Sequence, residues 1–368
     1  MVLKGIATQA ATEAYAKGHA ELPEGHWRQG PGWTSSSIGI GTYLGHHTSD
    51  ADKHYVEAVK TALRLGCNVI DTAINYRSQR SERSIGRALR ELIETGDLQR
   101  DQVVVCTKGG FLPFDGEPPS DASAYFQTAF VRTGVLKPDD IVGGCHCMTP
   151  AYLDNQISMS LNNLGVESID VYYLHNPETQ LEQVSREEFR RRTAEAFRVL
   201  EAAASAGRIG AYGMATWEAF RVEASKRSHI SLSEMVDLAR SIGGDGHRFR
   251  VVQMPYNLAM LEAHLAPTQK LPSGKTVPAL RAARALGLTV FTSVPLLQTR
   301  LLGAIPEKVH GFFPGLQTNA QRAIQFVRST PGVAAPLAGM SKVEHVLENL
   351  RTATVEPLSP QGFEKIFA

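Results

Sequence analysis

Eight short apolar runs, each followed by a longer stretch of helical periodicity, constrain this chain more than any other feature of its sequence. The runs are Ser37–Gly41, Asn68–Asp71, Val103–Cys106, Asp170–Leu174, Gly210–Gly213, Val251–Gln253, Leu288–Phe291 and Val333–Leu337. They are continuous in apolar character rather than alternating, which suits parallel strands covered on both faces. Parallel neighbours need long crossovers, and the helical stretches supply them. Eight such units predict an α/β fold, a (β/α)8 TIM barrel closed on itself, over an open sheet.

The helical stretches carry their own punctuation. Thr149 and Pro150 suit an N-cap and first turn, Leu153, Ile157, Leu161 and Leu164 share one face, and Gly165 follows as a stop. Ser185 with Glu188 reads as a capping box ahead of Phe189, Phe197 and Leu200, with Gly207 at the end. Ser341 to Glu344 opens a late helix through Val346 and Leu350.

No Pro/Gly/Ser linker, repeat or low-complexity tract divides the 368 residues. Residues 1–30 read as an N-terminal extension, a surface helix or tail too polar for a secretory leader. Residues 31–368 read as one barrel with extended loops at its C-terminal mouth, with insertions near 109–148, 228–248 and 256–278. Thirty-eight basic against thirty-seven acidic residues leave a net charge of +1, which gives nucleic-acid binding no support. No apolar run approaches a membrane span. Four cysteines in a chain this long do not make a disulfide scaffold, so a cytoplasmic setting is expected.

Polar residues at the strand ends carry the chemistry. Asp71 ends the second run and Tyr76 follows it; Lys108 ends the third in Val-Val-Cys-Thr-Lys, and His175 ends the fourth. A barrel places these ends on one rim. A free phenol titrates near about pH 10 and is a slow proton donor at neutrality. An adjacent ammonium is expected to lower that value, with Asp71 holding the ammonium and His175 orienting a substrate oxygen. Each residue alone has an ordinary structural explanation; the four together at successive strand ends point to carbonyl chemistry.

In that order, spacing and strand context, Asp71, Tyr76, Lys108 and His175 resemble the catalytic tetrad of the aldo-keto reductase superfamily. Further matches are Gly39–Tyr43, Ser81-Glu82, Leu164–Asp170, Gly207–Ile209, Gln253–Asn257, and Gly339 with Glu348-Asn349. The resemblance implies hydride transfer between NADP(H), with NAD(H) as the lesser option, and a small aldehyde, ketone or sugar-type alcohol. Tyr76 would be the general acid/base. The Gly-x-Gly-x-x-Gly fingerprint of the other common dinucleotide fold is missing, in keeping with this. By the same resemblance Gly41, Thr42, Tyr43, Asp71, Thr216, Gln253, Ser293, Pro295, Leu296 and Gly339 border the cofactor. Ser341 and Lys342 would take the 2′-phosphate at a helix N-terminus, and Glu348 and Asn349 lie near the adenine.

Three positions depart from the family pattern. Ala215-Thr216 replaces Ser-Asn after the fifth strand. Ser293 stands where an aromatic usually stacks on nicotinamide, with Trp217 and Tyr256 as candidate substitutes. The 2′-phosphate site has few arginines. Trp33, Phe111, Phe114 and Tyr125 are candidates to shape an apolar substrate site. Two other functions compete. One is a cofactor-binding regulatory subunit with little turnover; the weaker is a metal-dependent hydrolase built on Cys145, His146 and Cys147. Without a second cluster at usual spacing, no metal site is assigned.

Overall fold

The computed structural model describes residues 2–368. Eight strands form a closed parallel barrel: β1 (Gly39–Gly41), β2 (Val69–Asp71), β3 (Val104–Gly109), β4 (Ile169–His175), β5 (Ile209–Ala215), β6 (Phe249–Pro255), β7 (Thr289–Ser293) and β8 (Ala335–Gly339). β8 pairs back onto β1, Gly339 facing Gly41. Each of the eight apolar runs of the sequence therefore overlaps a strand, and the (β/α)8 TIM barrel is the observed fold. Each strand leads to a helix: α1 (Ser49–Arg64), α2 (Arg80–Glu94), α3 (Pro150–Leu164), α4 (Arg186–Ser205), α5 (Leu232–Gly243), α6 (Ala279–Ala285), α7 (Asn319–Arg328) and α8 (Val343–Leu350).

Successive side chains of a strand face opposite sides of the sheet. Val69, Cys106, Tyr173, Val251, Phe291 and Leu337 pack inside the barrel, whereas Ile70, Val105, Tyr172, Leu174, Val252 and Met254 pack outward among the helices. One further step of two residues along the inward face gives Asp71, Lys108, His175, Gln253, Ser293 and Gly339. The barrel's period thus collects the polar strand-end residues on one inner rim. Gly213 is required between β5 and β6, where the register shifts; a Cβ there would collide with the Val251 carbonyl oxygen.

Helix ends follow their local chemistry. Gly165 adopts φ 65° after α3, the left-handed conformation a glycine accepts without strain. Ser185 accepts from the Glu188 N–H at the start of α4, but Glu188 does not complete the capping box. Its carboxylate pairs instead with Arg191 and Arg192.

The N-terminal segment is more tightly built than a tail. Thr8 caps a helix over Gln9–Lys17, whose buried Tyr15 donates to the Leu63 carbonyl. Ala7 and Trp33 join the barrel's interior cluster, and Asp170 at the start of β4 accepts from the Ala7 N–H at 2.6 Å. Trp33 is therefore packed beneath the barrel rather than at its mouth. A hairpin pairing Trp27–Gln29 with Thr34–Ser36 crosses residue 30, so extension and barrel share an element there.

The stretch 228–248, read from sequence as an insertion, holds α5, which buries Leu232, Met235, Val236 and Ala239 on one face. Residues 256–278 hold a short helix, Glu262–Leu265, and a two-stranded hairpin of Gln269–Lys270 with Thr276–Val277. Residues 109–148 build a small satellite core in which Leu112, Phe130, Leu136 and Cys147 pack with Tyr152 of α3. Phe114 stacks on Phe126 at 5.1 Å and packs against Tyr125 at 5.6 Å. Phe114 and Tyr125 thus belong with that satellite core; only Phe111 of the four expected aromatics lines the cleft.

Candidate active site

A cleft of about 450 Å³ opens at the C-terminal rim. At its floor the Lys108 Nζ donates to Asp71 Oδ2 at 2.7 Å, to the Thr72 carbonyl at 2.7 Å and to the Tyr76 hydroxyl at 3.4 Å. Lys108 is fully buried and Asp71 nearly so. Such a buried ion is tolerated only when paired and fully hydrogen-bonded, as this one is. Gln253 Nε2 donates to the other carboxylate oxygen, Asp71 Oδ1, at 2.8 Å. The Tyr76 and His175 rings meet edge to face at 5.8 Å. The four strand-end residues expected to converge do so.

Their protonation is set by this enclosure. Burial penalises the Lys108 ammonium, but Asp71 and then Tyr76 outweigh it, and its pKa is raised. For Tyr76 burial is again the largest influence and raises the phenol, Lys108 pulls it back, and the net shift is upward. This is opposite to the lowering that an adjacent ammonium alone would produce. Desolvation wins because Asp71 already neutralises much of the ammonium's field. Burial, then Lys108 and His146, hold the His175 imidazole well below its usual range, so it is neutral at physiological pH.

His175 is supported from behind. His146 Nε2 lies 2.8 Å from the His175 carbonyl oxygen, and His146 Nδ1 lies 2.9 Å from Gln180 Nε2. Phe111 is edge-on to both imidazoles, at 5.1 Å from His146 and 5.0 Å from His175. Burial pushes His146 down to about 4, so it is a neutral buttress. Of the Cys-His-Cys run, Cys147 is buried in the satellite core and Cys145 is half-buried, both as free thiols. Among the described residues no group of three His, Cys, Asp or Glu is placed to hold a metal ion.

Of the residues expected near a cofactor, Gly41, Thr42, Tyr43, Asp71, Thr216, Gln253, Ser293, Pro295, Leu296 and Gly339 line the cleft. Ser341, Lys342, Glu348 and Asn349 do not. Lys342 is an exposed N-cap of α8, and Asn349 is buried in that helix. Tyr256 is no substitute for the missing aromatic: it is fully buried, stacked on Phe326 at 5.8 Å. Trp217 lines the cleft with 48% of its surface exposed, as does Tyr43 with 55%. The sequence reading missed Asn75, Asn176, Val294, Gln298 and Thr299, which also line it. They sit on strand-to-helix loops, where no periodicity announces an inward-facing side chain.

The cleft carries polar groups that the protein itself leaves unfilled. Thr216 Oγ1 and Asn75 Oδ1 are buried without partners, in keeping with groups awaiting a ligand. A Cβ added to Gly339 would meet no protein atom and would occupy the cleft itself.

With this geometry the comparisons with known proteins agree. A model of the aldo/keto reductase family matches residues 37–270, well over half the chain, and the chain belongs to that family. Membership places it among the oxidoreductases. The putative voltage-gated potassium channel subunit beta of Schizosaccharomyces pombe is 23% identical over 358 residues, spanning 90% of this chain and 88% of that protein. The NADH-specific methylglyoxal reductase of Escherichia coli is 30% identical over 210 residues, 55% of this chain and 53% of that protein. An aldo/keto reductase from Klebsiella pneumoniae, solved with NADP and acetate, superposes with TM-score 0.61 and 20% identity over 94% of each chain. An aldo-keto reductase from Bacillus halodurans in its holo form gives TM-score 0.60 and 18% identity, covering 92% of this chain and 95% of that one. These structural likenesses bear on the barrel itself.

Proposed function

We propose that the chain is an NADP(H)-dependent oxidoreductase that moves a hydride between the nicotinamide and an aldehyde, ketone or sugar-type alcohol. The observation that carries this reading is the junction of Lys108, Asp71 and Tyr76 beside His175 on the cleft floor. A reduced nicotinamide, when bound, supplies the hydride. Tyr76, protonated at neutral pH, gives its phenolic proton to the substrate oxygen as negative charge develops there. Lys108 stays an ammonium and steadies the phenolate left behind, and Asp71 keeps that ammonium in place. His175, neutral, orients the substrate oxygen. For alcohol oxidation the same phenol accepts the proton.

Gly41, Thr42 and Tyr43 would flank the nicotinamide. Thr216 would meet its carboxamide with the free Oγ1, and Gln253 with the oxygen that its bond to Asp71 leaves available. Ser293, Pro295, Leu296 and Gly339 continue the cleft wall. Ser341 and Lys342 would receive the 2′-phosphate, with Glu348 and Asn349 near the adenine. That phosphate site favours NADP(H) over NAD(H). All four cysteines are free thiols, which supports work in the cytoplasm on small molecules; no helix among the described residues is long and apolar enough to cross a membrane.

A second reading is a cofactor-binding regulatory subunit with little turnover. It is favoured by the likeness over 358 residues to a protein named as a channel beta subunit. One experiment separates them: fluorescence titration with NADPH and NADH, then a carbonyl and sugar panel on the same sample. Panel-dependent NADPH oxidation supports the enzyme. Tight binding with no acceleration by any carbonyl supports the subunit, and failure to bind either cofactor sinks both.

A further inference from the structure

Glu178 is a buried charge that hydride transfer leaves unused. It stands in the 3₁₀ turn Pro177–Glu182 that follows β4, three residues after His175, and is 7% exposed. A carboxylate so enclosed must find donors locally. Its Oε1 accepts from the backbone N–H of Trp217 at 2.6 Å and of Glu218 at 3.2 Å, while Oε2 is buried without a partner. Trp217 begins the segment that leaves β5 and lines the cleft beside Thr216. The Trp217 carbonyl is held too: the Arg221 guanidinium donates to it at 2.9 Å and pairs with Glu262 at 2.8 Å. The residue is thus gripped by its amide on one side and its carbonyl on the other.

We propose that Glu178 is a positioning residue that locks the β5 exit segment to the β4 exit turn and so fixes Trp217 at the rim of the cleft. The bland alternative, a carboxyl that merely fills a turn, does not account for two donors converging on one oxygen of a residue whose neighbour lines the cleft.

The lock has a built-in response to pH. Burial pushes the Glu178 carboxyl up to about 7, with its backbone donors pulling the other way. The packed elements bring His146, against Gln180 of the turn, and His175, which precedes it, both held neutral by burial. Arg221, Glu218 and Glu262 lie on the Trp217 side; Glu182, with Arg192 and Arg227 donating to Gln180 and Leu181, lies around the turn itself. Above neutrality Glu178 is ionised, and because burial outweighs its backbone donors the charge favours a looser, more solvated turn. Below neutrality the neutral carboxyl stays enclosed with its oxygen accepting from the same amides, and Trp217 is held. The consequence for turnover, a weaker hold on bulky substrates at higher pH, rests on the oxidoreductase reading. The lock itself does not.

The test therefore uses the full chain without cofactor or substrate. Emission and acrylamide quenching of Trp217 are followed from about pH 5.5 to about pH 8.5, subtracting a Trp217→Phe background to remove Trp27 and Trp33. In the wild type the Trp217 signal should titrate with a midpoint near 7. Glu178→Gln keeps an oxygen acceptor but not the charge, so its signal should stay flat and match the low-pH wild type. Glu178→Ala should be flat and quenched at least about twofold more than either, because no acceptor remains. Should the Ala variant fail to fold by circular dichroism, the Gln variant decides alone. A flat wild-type titration, or a Gln variant that titrates like the wild type, overturns the proposal. Neither result touches the oxidoreductase reading, which the carbonyl panel tests separately.

Discussion

Gln253 and Asp71 meet at 2.8 Å across the barrel floor, the amide taking the carboxylate oxygen that Lys108 leaves free. Both oxygens of Asp71 are therefore committed within the protein. The carboxylate is a fixed counter-charge to the Lys108 ammonium.

Tyr76→Phe removes the proton donor and leaves the pocket. Its kcat should fall by about 10² to 10⁴, the usual worth of general acid catalysis, while NADPH affinity stays within about threefold. Steady-state kinetics and a fluorescence titration on one preparation check both halves. A kcat within a factor of about three of wild type would remove Tyr76 from its role.

Lys108→Met strands a buried carboxylate. Breaking such a pair costs on the order of 3–5 kcal/mol, whereas removing both charges costs far less. Urea unfolding of Lys108→Met, Asp71→Asn and the double variant should show the double variant more stable than Lys108→Met. Additive losses would mean that the pair is energetically uncoupled.

Lys342→Ala tests cofactor choice. Loss of an exposed cation facing a phosphate should weaken NADPH by about tenfold and NADH by less than about twofold. Equal losses would move the 2′-phosphate elsewhere.

Two glycines should behave oppositely. Gly213→Ala drives a Cβ into the Val251 carbonyl and should abolish soluble, folded protein. Gly339→Ala meets no protein atom and should change stability by less than about 1 kcal/mol while weakening NADPH binding. Thermal melts with and without NADPH distinguish the two cases.

Stability should depend on pH through Glu178. Its folded value, about 7, lies above the ordinary 4.5. The folded state therefore binds more protons than the unfolded state between those values, and stability falls as pH rises through that window. The shift corresponds to at most about 3 kcal/mol at full ionisation. Wild type should lose ground to Glu178→Gln in urea melts as pH rises from about 4.5 to about 7. A pH-independent difference would contradict the raised value.

Much of this was legible in the residues. The eight runs marked the strands because parallel strands are buried on both faces. Asp71, Lys108 and His175 stood out because a polar group closing an apolar run is conspicuous. What escaped notice was set by tertiary context. Trp33 looked like a rim aromatic, yet the hairpin carries it under the barrel, a choice made by long-range packing with Ala7. Tyr256 and Trp217 were equal candidates by type; only the fold sends one into the helices and the other to the cleft. The raised phenol of Tyr76 depends on how much water the site excludes, which no spacing records. Glu178 was invisible because its partners are backbone amides, and backbone donors leave no trace in residue identity.

The seam between β8 and β1 has an implication for how the molecule is made. Gly41 and Gly339 border the same cleft but are separated by the whole barrel in sequence, so the cleft has no far wall until the last strand has been synthesised. Until then the growing chain exposes the open edges of β1 and of its latest strand, surfaces that chaperones recognise and that other nascent chains can pair with. A chain cut before residue 335 would lack both closure and one wall of its cleft, and should be recovered as aggregate rather than as a weakened enzyme.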